Sequence, residues 1–328
     1  MLEVIPIIAP LFMLLGLGIV AGFSSRFRSA QGGLNSFVFT FSLPAFLFTA
    51  LADAPLADNL PVVFIAVSFA LPGAVALAVY SACLLWQRVR RCGNDAVVPG
   101  PLAVAATYGN VGYLGVPIAM SVIGPSAALA AALGQLLHNL LFMVGYPLLK
   151  SISDSGSAPQ GSTFARLLEV LWLVLKRSVL LNPVVLGVAA GVLVNVLSVE
   201  LPEALDSSIT MLGQAAVPTA MFAVGLSIKP AFEGMRSGSV PFGAVLVAST
   251  VKLAVLPLTT LLALMLFGSD LADPWILTAV IMAAMPVSST ANILVHQYDG
   301  DTRLSSATTL FTSIAAIITV PAMIALGP

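Results

Sequence analysis

The chain has very little charge. Asp, Glu, Lys and Arg make up 8% of its 328 residues, against roughly 25% in a soluble domain, and 59% belong to the hydrophobic set. That deficit excludes a water-soluble globule and predicts a multi-pass protein of the inner (plasma) membrane, with the lipid bilayer as its solvent. Histidine is confined to His138 and His296 and cysteine to Cys83 and Cys92, which form neither a metal cluster nor a disulfide framework. No metal or cofactor is therefore expected. A metalloprotease helix motif and a Gly-x-Ser-x-Gly elbow are both missing, which leaves an intramembrane enzyme without nucleophile, base or ligands. A formal net charge of −1 gives no footing for a nucleic-acid partner. The N-terminus carries Glu3 and no basic residue ahead of the run Val4 to Gly22, whose length suits a retained span rather than a secretory signal.

Long apolar runs are plentiful. Ten spans are predicted, at 4–22, 34–52, 60–86, 101–123, 127–149, 178–199, 204–228, 239–267, 274–296 and 304–326. Loop charge tests that count. Arg26 and Arg28 follow the first span, Arg88, Arg90 and Arg91 the third, Lys150, Arg166, Lys176 and Arg177 the fifth, Lys229 and Arg236 the seventh, and Arg303 the ninth. The opposite face holds Glu3, Asp53, Asp58, Glu200, Glu203, Asp206, Asp270 and Asp273, with no Lys or Arg. The excess of positive charge on cytoplasmic loops then places both termini on the non-cytoplasmic side.

Two of the spans are broken in matching places. One reads Tyr108, Gly109, Asn110, Val111, Gly112, Tyr113, Leu114, Gly115, Val116, Pro117, and the other Met285, Pro286, Val287, Ser288, Ser289, Thr290, Ala291, Asn292. Proline inside a span frees backbone groups that lipid cannot satisfy, so such breaks survive where they line a watery cavity or are covered by protein. A matched pair points to a substrate site near the midplane of a secondary carrier, between Pro117 and Pro286. Five spans per half invert the second half relative to the first. Leu43 and Pro44 match Val217 and Pro218, and Leu60 and Pro61 match Val240 and Pro241. The expected fold is thus an all-α membrane protein of ten transmembrane helices. It comprises two inverted five-helix repeats, 1–150 and 178–328, with crossed, proline-broken helices 4 and 9. Between them, 151–177 reads as a cytoplasmic linker followed by a helix lying in the membrane interface.

These motifs, together with Ala220, Met221, Phe222, Gly225 and Leu226 in the seventh span and Tyr298 after the ninth, resemble the auxin efflux carrier family. That family includes the plant PIN auxin exporters and bacterial carriers assigned to malonate. The resemblance covers essentially the whole chain. It implies a scaffold of spans 1, 2, 6 and 7, a transport part of spans 3 to 5 and 8 to 10, helices 4 and 9 crossing at their prolines, and a two-fold homodimer. It also implies that the asparagine at Asn110 binds a substrate carboxylate. The long central loop of many plant members is missing here, as expected of a compact bacterial carrier.

Residue chemistry favours a small organic anion. A broken helix offers free amides and a positive dipole end, and Asn side chains add donors without charge. Candidate substrate-binding residues are Asn110, Gly112, Tyr113, Pro117, Asn139, Pro286, Ser288, Ser289 and Asn292. Asn110 and Asn292 alternatively only tie off backbone left open by the breaks. Lys252 is the one Lys or Arg within a predicted span, and the only acid within any is Asp206, two residues from the non-cytoplasmic start of the seventh. Lys252 supplies positive potential for an anion, or is a neutral or carbonyl-bonded lysine bracing Pro257 one turn later. His138, next to Asn139 and one turn after Gln135, is the candidate for proton coupling or else bonds between helices. Protons or sodium remain open as coupling ions. A sodium-coupled bile-acid-type symporter is the alternative carrier, and a channel or membrane-embedded sensor the alternative of another class, although no charged ring or filter loop is visible.

Overall fold

The computed structural model describes residues 5–53, 61–90, 97–154, 172, 176, 181–236, 242–298 and 300–327. In chain order its helices are α1 (Ile5–Ala21), α2 (Ser25–Ala52), α3 (Val62–Val89), α4a (Pro99–Thr107), α4b (Val111–Ile123), α5 (Ala128–Asp154), α6 (Pro183–Val196), α7 (Glu203–Pro230), α8 (Phe242–Phe267), α9a (Asp273–Ala284), α9b (Ser289–Gln297) and α10 (Thr302–Leu326). Among them α2, α3, α5, α7, α8 and α10 each hold a segment long and apolar enough to cross a membrane. The architecture is all-helical among the described residues, as lipid requires of a chain that must satisfy its backbone internally. The linker and interfacial helix expected over 151–177 fall outside the described residues, apart from the end of α5, Trp172 and Lys176.

Four helices handle an internal proline in one way. Each widens into a π turn at Val38–Ser42, Ala66–Ala70, Val111–Gly115 or Val251–Val255. Each of these turns stops two residues before a proline: Pro44, Pro72, Pro117 and Pro257. Proline has no amide for the carbonyl four residues back, and its ring crowds that carbonyl. Widening lets the residue before it bond five back instead, Leu43 to Val38, Leu71 to Ala66, Val116 to Val111 and Leu256 to Val251. The backbone stays paired without a break. Pro117 therefore does not mark the first break, contrary to the sequence expectation. It sits buried inside α4b, and the chain leaves helix seven to nine residues earlier, at Tyr108 to Asn110.

Close backbone contact joins α1 to α7. A Cβ added at Gly18 would run into the Phe222 carbonyl and stand 3.0 Å from the Gly225 Cα, and one added at Gly225 would meet the Leu15 carbonyl. Small residues at such a contact supply the packing that lipid, being as apolar as leucine, cannot drive by hydrophobicity. At one end of this pair Arg28 and Lys229 both reach Glu233, at 3.2 and 3.6 Å, and Lys229 lies over the Phe23 ring. The basic groups after the first and seventh spans thus share one face. Asp301 caps α10, accepting from the Arg303 amide, and its bidentate bond with the Arg303 guanidinium holds its carboxyl below the usual carboxylate range.

Candidate functional site: the crossing of two broken helices

The breaks in helices 4 and 9 meet. Asn110 donates its amide to the Pro286 carbonyl at 2.8 Å, and Ser288 donates its amide to the Tyr108 carbonyl at 2.9 Å. These reciprocal bonds make Gly109 and Val287 an isolated antiparallel bridge, a two-bond stitch between helices. The remaining amides find partners outside the stitch. Gly109 donates to His138 Nε2 of α5 at 2.9 Å, and Val287 donates to Thr312 Oγ1 of α10 at 3.1 Å. Pro286 has no amide to place. Every amide of the two breaks therefore has a partner, as buried backbone donors require.

Donors left over lie one step further on, where helices begin. Val111 and Gly112 open α4b and Ser289 opens α9b, and their amides have no partner among the described residues. First-turn amides have none within a helix and carry the positive end of its dipole. Asn110 and Ser288 stand as the two N-caps. Asn110 Oδ1 accepts from the Tyr113 amide at 3.3 Å, and Ser288 Oγ accepts from the Thr290 amide at 3.1 Å. The Asn110 Nδ2 group remains without a partner among the described residues, although the residue is only 4% exposed. An unpaired side-chain amide on this largely enclosed residue, beside two unpaired backbone amides, suits an anionic oxygen.

Helix α5 forms the wall beside the crossing. His138 accepts the Gly109 amide on Nε2, which places the ring proton on Nδ1. Tyr108 donates its hydroxyl to Asn139 Oδ1 at 3.2 Å and stacks on Phe142 with ring centres 4.7 Å apart. Gln135 packs its amide against Gly112, where an added Cβ would be 3.2 Å from Nε2, and its Oε1 is buried without a partner. Gln135 and Asn139 also line a cavity of about 140 Å³ between α5 and α6, with Asn182 and aliphatic side chains along its wall. The polar face of α5 thus connects the crossing to that space.

Lys252 projects from the wide turn of α8 into the crossing and is completely buried. Its Nζ donates to the Ala283 carbonyl in the last turn of α9a at 2.7 Å, and a Cβ on Gly109 would sit 3.0 Å from that Nζ. One ammonium thus touches the ends of both first half-helices.

The structure unites most of the residues singled out from sequence. Asn110, Gly112, Tyr113, Pro286, Ser288, Ser289, His138, Asn139 and Lys252 lie at or against the crossing. Pro117 lies beyond it in α4b. Asn292, expected as the counterpart of Asn110, sits one turn into α9b with its Oδ1 buried and unpartnered, while Ser288 is the cap opposite Asn110. Sequence reasoning passed over Thr312 and the Tyr108 hydroxyl. The run Thr308, Thr309, Thr312 and Ser313, buried on α10, was the available signal for the first.

The chain matches the family model described as "Membrane transport protein" over residues 3–324. It is 29% identical over 327 residues to the "Putative malonate transporter" of Rhizobium meliloti (strain 1021), covering 99% of this chain and 96% of that protein. A Methanothermobacter thermautotrophicus (strain Delta H) protein named "Uncharacterized transporter" is 27% identical over 88% of this chain and 86% of its own length. "Uncharacterized transporter YfdV" of Escherichia coli (strain K12) is 22% identical over 95% of this chain and 94% of its own length.

Proposed function

Because the chain belongs to the membrane transport protein family, the auxin efflux carrier family that its motifs resemble, we propose that it carries a small organic anion by alternating access. It is a membrane transporter and not an enzyme. The proposed substrate is a mono- or dicarboxylate, malonate or an auxin-like acid, and the family relative's name supports malonate as the first to try. In this reading residues 1–150 and 178–328 are inverted repeats, both termini are outside the cytoplasm, and the stitched breaks are the shared axis of the repeats.

One observation carries the proposal: two half-helix N-termini with unpaired amides, capped by Asn110 and Ser288, meet in an apolar interior with no carboxylate bonded to either cap among the described residues. Such a place attracts an anion and gives a cation poor ligands. Asn110, Ser288 and the Gly112 and Ser289 amides bind the carboxylate, Asn139 and Tyr113 shape the site, and Asn292 lines its exit along α9b. His138 is the proposed proton-coupling group, since protonating Nε2 would break its bond to the Gly109 amide and loosen the first break. The sodium-coupled alternative draws on the buried, unpartnered Gln135 Oε1 and Asn292 Oδ1, oxygens of the kind hard cations take. A homodimer is proposed on the family resemblance alone.

Uptake of labelled malonate, other carboxylates and indole-3-acetate into proteoliposomes, with pH and sodium gradients imposed separately, tests this reading. Saturable uptake of at least one carboxylate is expected. Absence of uptake and of binding for all of them would contradict it.

A further inference from the structure

We propose that the ammonium of Lys252 is a tethered cation that fills the place of a coupling sodium ion at the crossing, so that anion transport is independent of sodium. The proposal rests on the carrier reading above and deepens it. Three observations support it. First, Lys252 is 0% exposed on a helix of apolar neighbours, in a position where a lone charge is costly unless it is compensated. Second, no carboxylate pairs with it among the described residues, and the one acid within a predicted span, Asp206, stands at the outer end of the seventh. Its partner is the Ala283 carbonyl at 2.7 Å, the length of a charge-assisted bond. Carbonyls in the last turn of a helix lack an intrahelical partner and carry the negative end of its dipole. Third, Nζ also lies against Gly109, two residues past the end of α4a, so one charge stands beside the negative ends of both α4a and α9a. No side chain longer than glycine's fits there without displacing the ammonium.

A free cation drawn to this point would use the same carbonyl oxygens and compensate the same two dipole ends. With Lys252 in place that charge is already present and is carried by the chain, so a second cation would meet repulsion instead of ligands. The division of labour at the crossing follows. The negative ends of α4a and α9a are held by Lys252, while the positive ends of α4b and α9b face the transported anion.

The test compares wild type, Lys252→Ala, Lys252→Gln and Lys252→Arg. Thermal unfolding of each purified protein is measured in sodium chloride and in choline chloride of equal strength, and labelled malonate uptake is measured in both salts. Wild type should unfold at the same temperature in either salt and transport equally in both. Lys252→Arg should behave likewise. Lys252→Ala should lose about tenfold or more of its uptake in choline, regain part of it in sodium, and unfold at a higher temperature in sodium than in choline. Lys252→Gln is read in the same way where Lys252→Ala fails to fold. A sodium-specific rise in wild-type unfolding temperature or uptake would overturn the proposal, as would folded Ala and Gln variants indifferent to sodium. The unfolding comparison needs no substrate. A wild type that carries no tested anion would count against the carrier reading alone.

Discussion

The two half-helices that leave the crossing are enclosed very differently. Along α4b, Val116, Pro117, Ile118, Ala119 and Met120 are all buried. Along α9b only Ala291, Leu294 and Val295 are buried, while Ile293, His296 and Gln297 are exposed. Equivalent halves of an inverted repeat would have equal surroundings if the molecule were at its symmetric midpoint. On the proposed alternating-access reading, this inequality corresponds to a carrier at rest in one of its two states, with α9b the less enclosed half. The proposed topology puts the α9b side at the cytoplasm, so the proposed state faces inward.

The caps differ as well. Asn110 offers two amide hydrogens on a buried side chain, whereas Ser288 offers one hydroxyl hydrogen. If both face the anion, the α4 cap contributes more. Asn110→Ala should weaken malonate binding about ten- to hundredfold, the equivalent of roughly 1.5 to 3 kcal/mol for a charge-assisted bond. Ser288→Ala should cost about two- to tenfold, measured by the same titration. Equal losses would remove the asymmetry between the caps.

The prolines sharpen the contrast between breaks. Pro286→Ala places a new amide inside a crossing whose acceptors are already used, and turnover in proteoliposomes should fall about tenfold. Pro117→Ala only lets the Val111–Gly115 turn tighten, and turnover should change by less than about threefold. A larger effect at Pro117 would return it to the site.

Accessibility tests the comparison without a substrate. Cysteine at Ile293 should react with a thiol reagent that reaches the cytoplasmic face, and cysteine at Ala119 should stay protected from either side until transport opens the α4b half. Protection of both positions would mean the enclosure is symmetric. The subtlest change is expected from His138→Gln, whose side-chain oxygen can still accept the Gly109 amide. Binding should persist while the response of uptake to a pH gradient disappears. Retained pH-driven accumulation would exclude His138 as the coupling group.

Much of this was legible in the sequence, and the gaps have physical causes. Composition reveals the membrane, because apolar content and scarce charge are properties of the chain itself. The break at Pro286 is legible because nothing relieves the missing amide locally. The break at Tyr108 is harder to place: Pro117 looks like the breaker until the wide turn that absorbs it is seen, and such a turn depends on surroundings. Matching the halves through Pro117 and Pro286 displaces the register, which hides Ser288 behind Asn292 as the counterpart of Asn110. Contacts such as His138 with Gly109 and Lys252 with Ala283 join residues 29 and 31 positions apart across separate helices, and only tertiary packing decides them.

The central claim is that one carboxylate is held at the crossing by both caps. Malonate affinity of wild type, Asn110→Ala, Ser288→Ala and the double variant forms a cycle that isolates their interaction. Residues serving one bound group should be coupled by about 0.5 kcal/mol or more, whereas residues at unrelated sites add within about 0.3 to 0.5 kcal/mol. Coupling with reduced affinity in both single variants is the predicted result. Folded variants that bind malonate as wild type does, or whose losses simply add, would contradict the account and leave Asn110 and Ser288 as helix caps only.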